Sequence, residues 1–254
     1  MQFSNVRMRK SYSRTKNLLF LIGEQRAMVD YFKYVNEMEE QNIRLSKEFF
    51  FEDMQKYELT VNVLAQTLHE TNQSFKGRVL TPAKKIATIM LSSRFMLASK
   101  CLFNIILKAY YYEAWILLRS LQENVFYCLC FAESNEHASQ WLKKEGLRLK
   151  EVKKIIKFSS SPLVKEAYNF MSDFVHSNMP AIARISKFEE KPKVKPPERP
   201  EFRKNANNLF KAFRTLNTLM LLILVDIFKD DLNKKTKDIV TAFVREEQKD
   251  LGLQ

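Results

Sequence analysis

Along most of this chain apolar side chains recur every three or four residues, the interval that stacks them on one face of an α-helix. This spacing predicts helices over about 18–44 and 47–74, the second carrying Phe49, Phe50, Met54, Tyr57, Leu64 and Leu68. Gly77 follows, where a helix end favours glycine. Thr81-Pro82 reads as a helix start, with Thr81 as N-cap and Pro82 at the first helical position of a helix over 82–107. Further helices are expected over about 109–132, 134–157 (with a bend at Gly146), 162–177, 203–229 and 232–249. Residues 187–204 hold four prolines and eleven charged residues, which predicts a solvated loop between two helical blocks.

The segment 109–132 is the most informative. At 100° per residue Ala114, Leu117, Leu118, Leu121, Val125, Cys128 and Leu129 share one apolar face. Tyr112, Glu113, Arg119, Ser120, Glu123 and Asn124 fall on the opposite arc. A central helix with one polar strip is expected, and Leu117, Leu118, Leu121 and Val125 should be almost fully buried. The triplets Phe49-Phe50-Phe51 and Tyr110-Tyr111-Tyr112 are expected in the core.

Composition narrows the fold class. The 254 residues are 46% hydrophobic but include only 4 Gly and 7 Pro. β-Sandwiches, Rossmann units and phosphate-cradling glycine loops need more turn glycine than this. No repeat at a fixed period marks a solenoid. The expectation is an all-α, single-domain bundle of about seven to eight helices. It has a basic arm at 1–17, a core at 18–186, a loop at 187–204 and a peripheral helical pair at 205–254.

Charge changes the picture next. Lys and Arg total 42 against 29 Asp and Glu, a net charge of +13. Such a balance suits a polyanionic partner, whether RNA, another nucleic acid or an anionic surface, or else reflects a lysine-rich composition with no specific partner. Two stretches concentrate it. Residues 1–17 carry five basic groups and no acid. Residues 143–157 hold Lys143, Lys144, Arg148, Lys150, Lys153, Lys154 and Lys157 against Glu145 and Glu151. Here Leu142, Leu149, Val152 and Ile156 should face inward, with Lys143, Lys150, Lys153, Lys154 and Lys157 outward as a solvated face or a phosphate-tracking one.

Candidate chemistry is sparse. Three cysteines, Cys101, Cys128 and Cys130, form no CxxC pair and read as buried free thiols of a cytoplasmic protein. No cofactor, metal set or G-x-S-x-G nucleophile is expected, and no run of about 20 apolar residues marks a membrane span. Arg119 and Glu123, spaced i,i+4, make either an internal ion pair or a phosphate-holding fork. His69 and His137 look like surface residues, whereas His176, beside Asp173 and Asn178, is the candidate acid–base group or a hydrogen-bonded helix-end histidine.

The string Tyr111-Tyr112-Glu113-Ala114, Leu117-Leu118-Arg119-Ser120-Leu121 and Glu123, followed later by Ser172 and Val175-His176, resembles an uncharacterised bacterial helical family. That family is similar to the HEPN superfamily, all-α bundles that include metal-independent ribonucleases of toxin and antiphage systems. The likeness covers about 80–180. Active members carry an Arg shortly before the His on one helix; here the nearest upstream is Arg148, so Arg119 would supply the cation from a neighbouring helix. The resemblance implies action on RNA, with His176 as base, Arg119 stabilising the phosphorane, Glu123 orienting it, and Tyr112, Asp173 and Asn178 around them. The residues themselves leave a second class open: a non-catalytic helical module that binds a protein partner or a second copy, with Arg119, Glu123 and His176 structural.

Overall fold

A computed structural model describes residues 32–74, 81–144, 147–156 and 196–252. Every element among them is helical, and the all-α bundle expected from the periodicity is what they form. In chain order these are α1 (residues 32–49), α2 (Phe51–Ser74), α3 (Ala83–Leu107), α4 (Tyr111–Glu133), α5 (Asn135–Leu142), α6 (Leu149–Ile155), α7 (Pro200–Ile227) and α8 (Lys234–Asp250). A 3-10 turn, Pro196–Glu198, precedes α7. The arm at 1–17, the beginning of the first expected helix and the expected helix over 162–177 lie outside the described residues.

Local chemistry explains most helix ends, with help from distant residues. Pro82 takes the cap position of α3, so the helix begins one residue later than expected, and Thr81 makes no cap bond. Instead Asn135 of α5 accepts the Lys84 backbone N–H at 3.0 Å. At the other end of α3 the chain closes a Schellman turn: Ala109 N–H donates to Ile106 O and Tyr110 N–H to Ile105 O, both at 3.0 Å. Two α1 side chains satisfy the remaining carbonyls. Asn42 donates to Lys108 O at 3.1 Å and Ser46 to Leu107 O at 3.0 Å. Ala109 holds the left-handed position at φ 64°, where glycine is usual. The segment 134–157 is two helices instead of one bent helix. α5 ends at Leu142 because Lys144 turns left-handed at φ 60°, before Gly146 is reached.

Of the C-terminal pair, α7 is not peripheral. α7 begins at Pro200, inside the stretch expected to be a loop, because proline suits the first helical position. It then runs through the core, packing against α2, α3, α4 and α8. Phe213 stacks on Tyr57 of α2 at 4.1 Å between ring centres and lies 6.0 Å from Phe95 of α3. Lys85 pairs with Asp231, and Ser92 meets Met220 at 3.2 Å, so α3 and α7 run antiparallel. α8 is fastened by charge. Buried Arg214 donates to both carboxylate oxygens of Glu247, at 2.8 and 2.9 Å, and to Asp250 at 2.5 Å. Lys56 of α2 joins Asp250 at 2.9 Å. Glu70 caps the start of α8, accepting Asn233 N–H at 2.7 Å and the Thr236 hydroxyl.

α4 is central, as its periodicity predicts. Leu118, Leu121 and Val125 are fully buried, whereas Leu117 is only half-buried at the edge of the core. Each aromatic triplet buries its middle member alone. Three consecutive helical residues sweep about 200°, so Phe50 and Tyr111 point inward while Phe49 and Phe51 are exposed and Tyr110 and Tyr112 half-buried.

Three outcomes follow. Leu121→Ala should cost about 2–5 kcal/mol in chemical denaturation, as buried leucine truncations do. Ala109→Gly should instead stabilise by on the order of 1 kcal/mol, since it relieves the left-handed Cβ clash, and the denaturation midpoint should rise. The Arg214 hydrogen bond, followed by that of Lys56, holds the Asp250 carboxyl below its ordinary value. Its folded-state pKa therefore lies below the unfolded one, so its contribution is complete above about pH 4 and disappears as pH falls through the folded-state value. Asp250→Asn should lower the melting temperature near neutrality and shrink its further decline on acidification.

Candidate nucleic-acid interface

α4 and α6 bring the sequence-predicted cations together. α6 is short and rests on α4 through Val152, which is fully buried with Phe126 and Cys130. The backbone N–H of Arg148 donates to the Glu151 carboxylate at 2.9 Å and closes the start of α6. Tyr127 of α4 pins the preceding turn, its hydroxyl donating to Leu147 O at 3.2 Å. The half-turn of chain leaving α5 is held in the same way: Lys144 N–H donates to Trp141 O at 3.1 Å, and the Trp141 ring packs 5.6 Å from Phe131.

Arg119 does not sit on an open polar strip. Its side chain is 9% exposed and paired with Glu123, which keeps 35% exposure. Asn124, expected on the same outer arc, is also buried. α6 packs on the Arg119 side of α4 and brings Lys153 beside that pair, so α4 is enclosed on more of its circumference than a one-sided amphipathic helix would be. Burial lowers the Arg119 pKa, and the Glu123 carboxylate opposes that shift. Lys153 comes in from α6. Burial lowers its pKa, repulsion from Arg119 adds to this, and Glu123 opposes it. Lys153 is therefore half-buried beside the Arg119–Glu123 pair and does not belong to the outward row where its spacing placed it. The Glu123 carboxylate thus acts on both cations.

The outward row consists of Lys143, Lys144, Arg148, Lys150 and Lys154, all exposed. No carboxylate among the described residues pairs with them; Glu151, the one acid in the described part of 143–154, is engaged with the Arg148 backbone. Leu142, Leu149 and Ile156 are half-buried beneath them. Tyr112 lies two turns before Arg119 on the same face of α4, about 10 Å along the axis, and is half-buried. Lys157, Asp173, His176 and Asn178 lie outside the described residues.

Several residues behave otherwise than their sequence context suggested. Cys101 is exposed, while Cys128 and Cys130 are buried and all three thiols are free. Burial pushes the Cys130 thiol up to about 11, with Glu133 adding to the shift. His69 is exposed as expected, but His137 is half-buried with its Nδ1 sealed from solvent. The Tyr127 and Trp141 supports of the basic turn went unrecognised in the sequence. The one available signal was an aromatic one helical turn after Glu123.

The charge cluster predicts a stability effect. Glu123→Gln would remove a carboxylate that offsets the burial of Arg119 and Lys153. The expected loss is about 1–3 kcal/mol in denaturant, below that of a fully buried pair because Glu123 is partly solvated. The loss should shrink when Lys153→Met is added, and a double-mutant cycle measures this coupling.

No protein-family model, no curated protein and no solved structure matches this chain.

Proposed function

We propose that this protein is an RNA-binding helical bundle that contacts the phosphate backbone through the turn between α5 and α6 and the outer face of α6. The observation that carries the reading is the row Lys143, Lys144, Arg148, Lys150 and Lys154, exposed and with no carboxylate partner among the described residues, on a chain of net charge +13. Cations clustered on one edge attract a polyanion, and each phosphate they neutralise releases counterions. The reading is of a binding protein and not an enzyme. The guanidinium of Arg119, which the HEPN resemblance would put on a scissile phosphate, is committed to Glu123 beneath α6 and 9% exposed. A guanidinium this enclosed leaves little of its fork open to a substrate.

The test is the binding of fluorescent single-stranded RNA measured across a salt series. With five phosphate contacts, log K against log salt should fall with a slope of about −3 to −4. Lys150→Glu with Lys154→Glu should weaken binding at low salt and flatten the slope by about 1 to 2. Binding that is absent at low salt, or indifferent to this double substitution, would remove the reading. RNA incubated with the protein in EDTA should remain intact. Cleavage in EDTA that is lost in His176→Ala, with a helical circular-dichroism spectrum retained, would establish the ribonuclease alternative.

A further inference from the structure

α3 has two faces of different kinds. Its inner face buries Ala87, Leu91, Phe95, Leu102 and Ile106 against the bundle. Its outer face is also apolar. Ile86 is 40% exposed, Met90 52% and Leu97 62%. These residues follow one another by four and seven positions, which keeps them in a single stripe about 16 Å long. Arg94 lies within the stripe, and Lys100, Cys101 and Asn104 continue it, all exposed. The helix Ala83–Leu107 contains no Asp or Glu. By length and composition it could cross a membrane, yet its inner face is committed to the bundle, and no described element covers the stripe.

The charges on the stripe select among occupants. No carboxylate among the described residues pairs with Arg94. Glu58 of α2 shares a cleft with Lys100 at the stripe's far end, one turn and a half beyond Arg94. A second copy packed two-fold along this stripe would bring Arg94 against its own counterpart near the centre, with no acid on either helix to separate them. An anionic bilayer suits both parts of the pattern. Exposed Ile, Met and Leu enter the boundary between headgroups and acyl chains, and the long Arg94 side chain reaches back to the lipid phosphates. An exposed apolar patch edged by cations, on a chain of net charge +13, is the composition of a peripheral membrane contact.

We propose that the outer face of α3 is a docking surface for an anionic lipid bilayer, on which the protein lies peripherally without spanning it. The surface is separate from the α5–α6 edge, and the proposal stands independently of RNA binding. Its three apolar contacts are exposed, so they can be changed without opening the core.

Co-sedimentation with vesicles tests it, using phosphatidylcholine alone and equal parts of phosphatidylcholine and phosphatidylglycerol. The full chain should sediment with the mixed vesicles and not with phosphatidylcholine. Met90→Glu with Leu97→Glu should reduce that partitioning on the order of tenfold or more while leaving the circular-dichroism spectrum helical. Arg94→Gln should weaken binding less and lower its salt sensitivity. Lys150→Glu with Lys154→Glu should leave vesicle binding largely intact. Three results would each overturn the proposal: no sedimentation with anionic vesicles, sedimentation that persists in the Met90/Leu97 variant, or loss of binding in the Lys150/Lys154 variant alone. A concentration-dependent dimer that Leu97→Glu dissolves, without vesicle binding, would assign the stripe to a second copy instead.

Discussion

The bundle is organised around the burial of α7 on several sides at once. Phe213 meets Tyr57 and Phe95, Phe210 reaches Phe50 and Tyr57, and Met220, Leu221 and Leu224 are fully enclosed. A helix surrounded by α2, α3, α4 and α8 cannot be removed without exposing the apolar face of each. The Tyr57 hydroxyl, carried into this aromatic cluster, donates to Ser99 O at 2.5 Å, so a polar atom at the centre of the core is satisfied. With α7 in place, α4 has a second helix to pack against besides α3, and the platform that receives α6 is set.

Two buried arginines show how the same packing treats charge. Arg214 is 2% exposed, and burial lowers its pKa, but its hydrogen bonds to Glu247 and Asp250 outweigh that cost and the net shift is upward. Its fork is filled by carboxylates from α8, a helix brought near only by the fold. For Arg119 burial outweighs its partner Glu123, and the net shift is downward. Lys153 shares that partner and is disfavoured by the same neighbourhood. At the α4–α6 junction two partly buried cations lie beneath the exposed lysines, while at the α7–α8 junction one guanidinium is matched by two carboxylates.

The helices themselves were legible because a 3.6-residue period needs no tertiary information. α2, α3, α4 and α8 lie within a few residues of their expected bounds, and the α4 core positions Leu118, Leu121 and Val125 are buried as their shared face requires. Periodicity failed where a helix has no single outer side. α4 has a polar arc, which one-sided reasoning places in water, but Arg119 and Asn124 on it are buried. α7 was expected at the periphery, yet its polar positions also face neighbours: Asn217 donates to Thr60 O at 3.1 Å and Arg214 to Glu247 of α8.

By itself the sequence determined the helical class, the lengths of most helices and the basic character of 143–154, since local spacing and composition carry those properties. Which lysines remain outside was decided by tertiary structure. Lys150 and Lys154 project while Lys153 turns toward Arg119, a difference of one residue that depends on where α6 comes to rest on α4. The partners of Arg214 and the apolar stripe left open on α3 were likewise decided by packing. Both depend on contacts between segments far apart in the chain, and no local pattern encodes which face of a two-faced helix will find a neighbour.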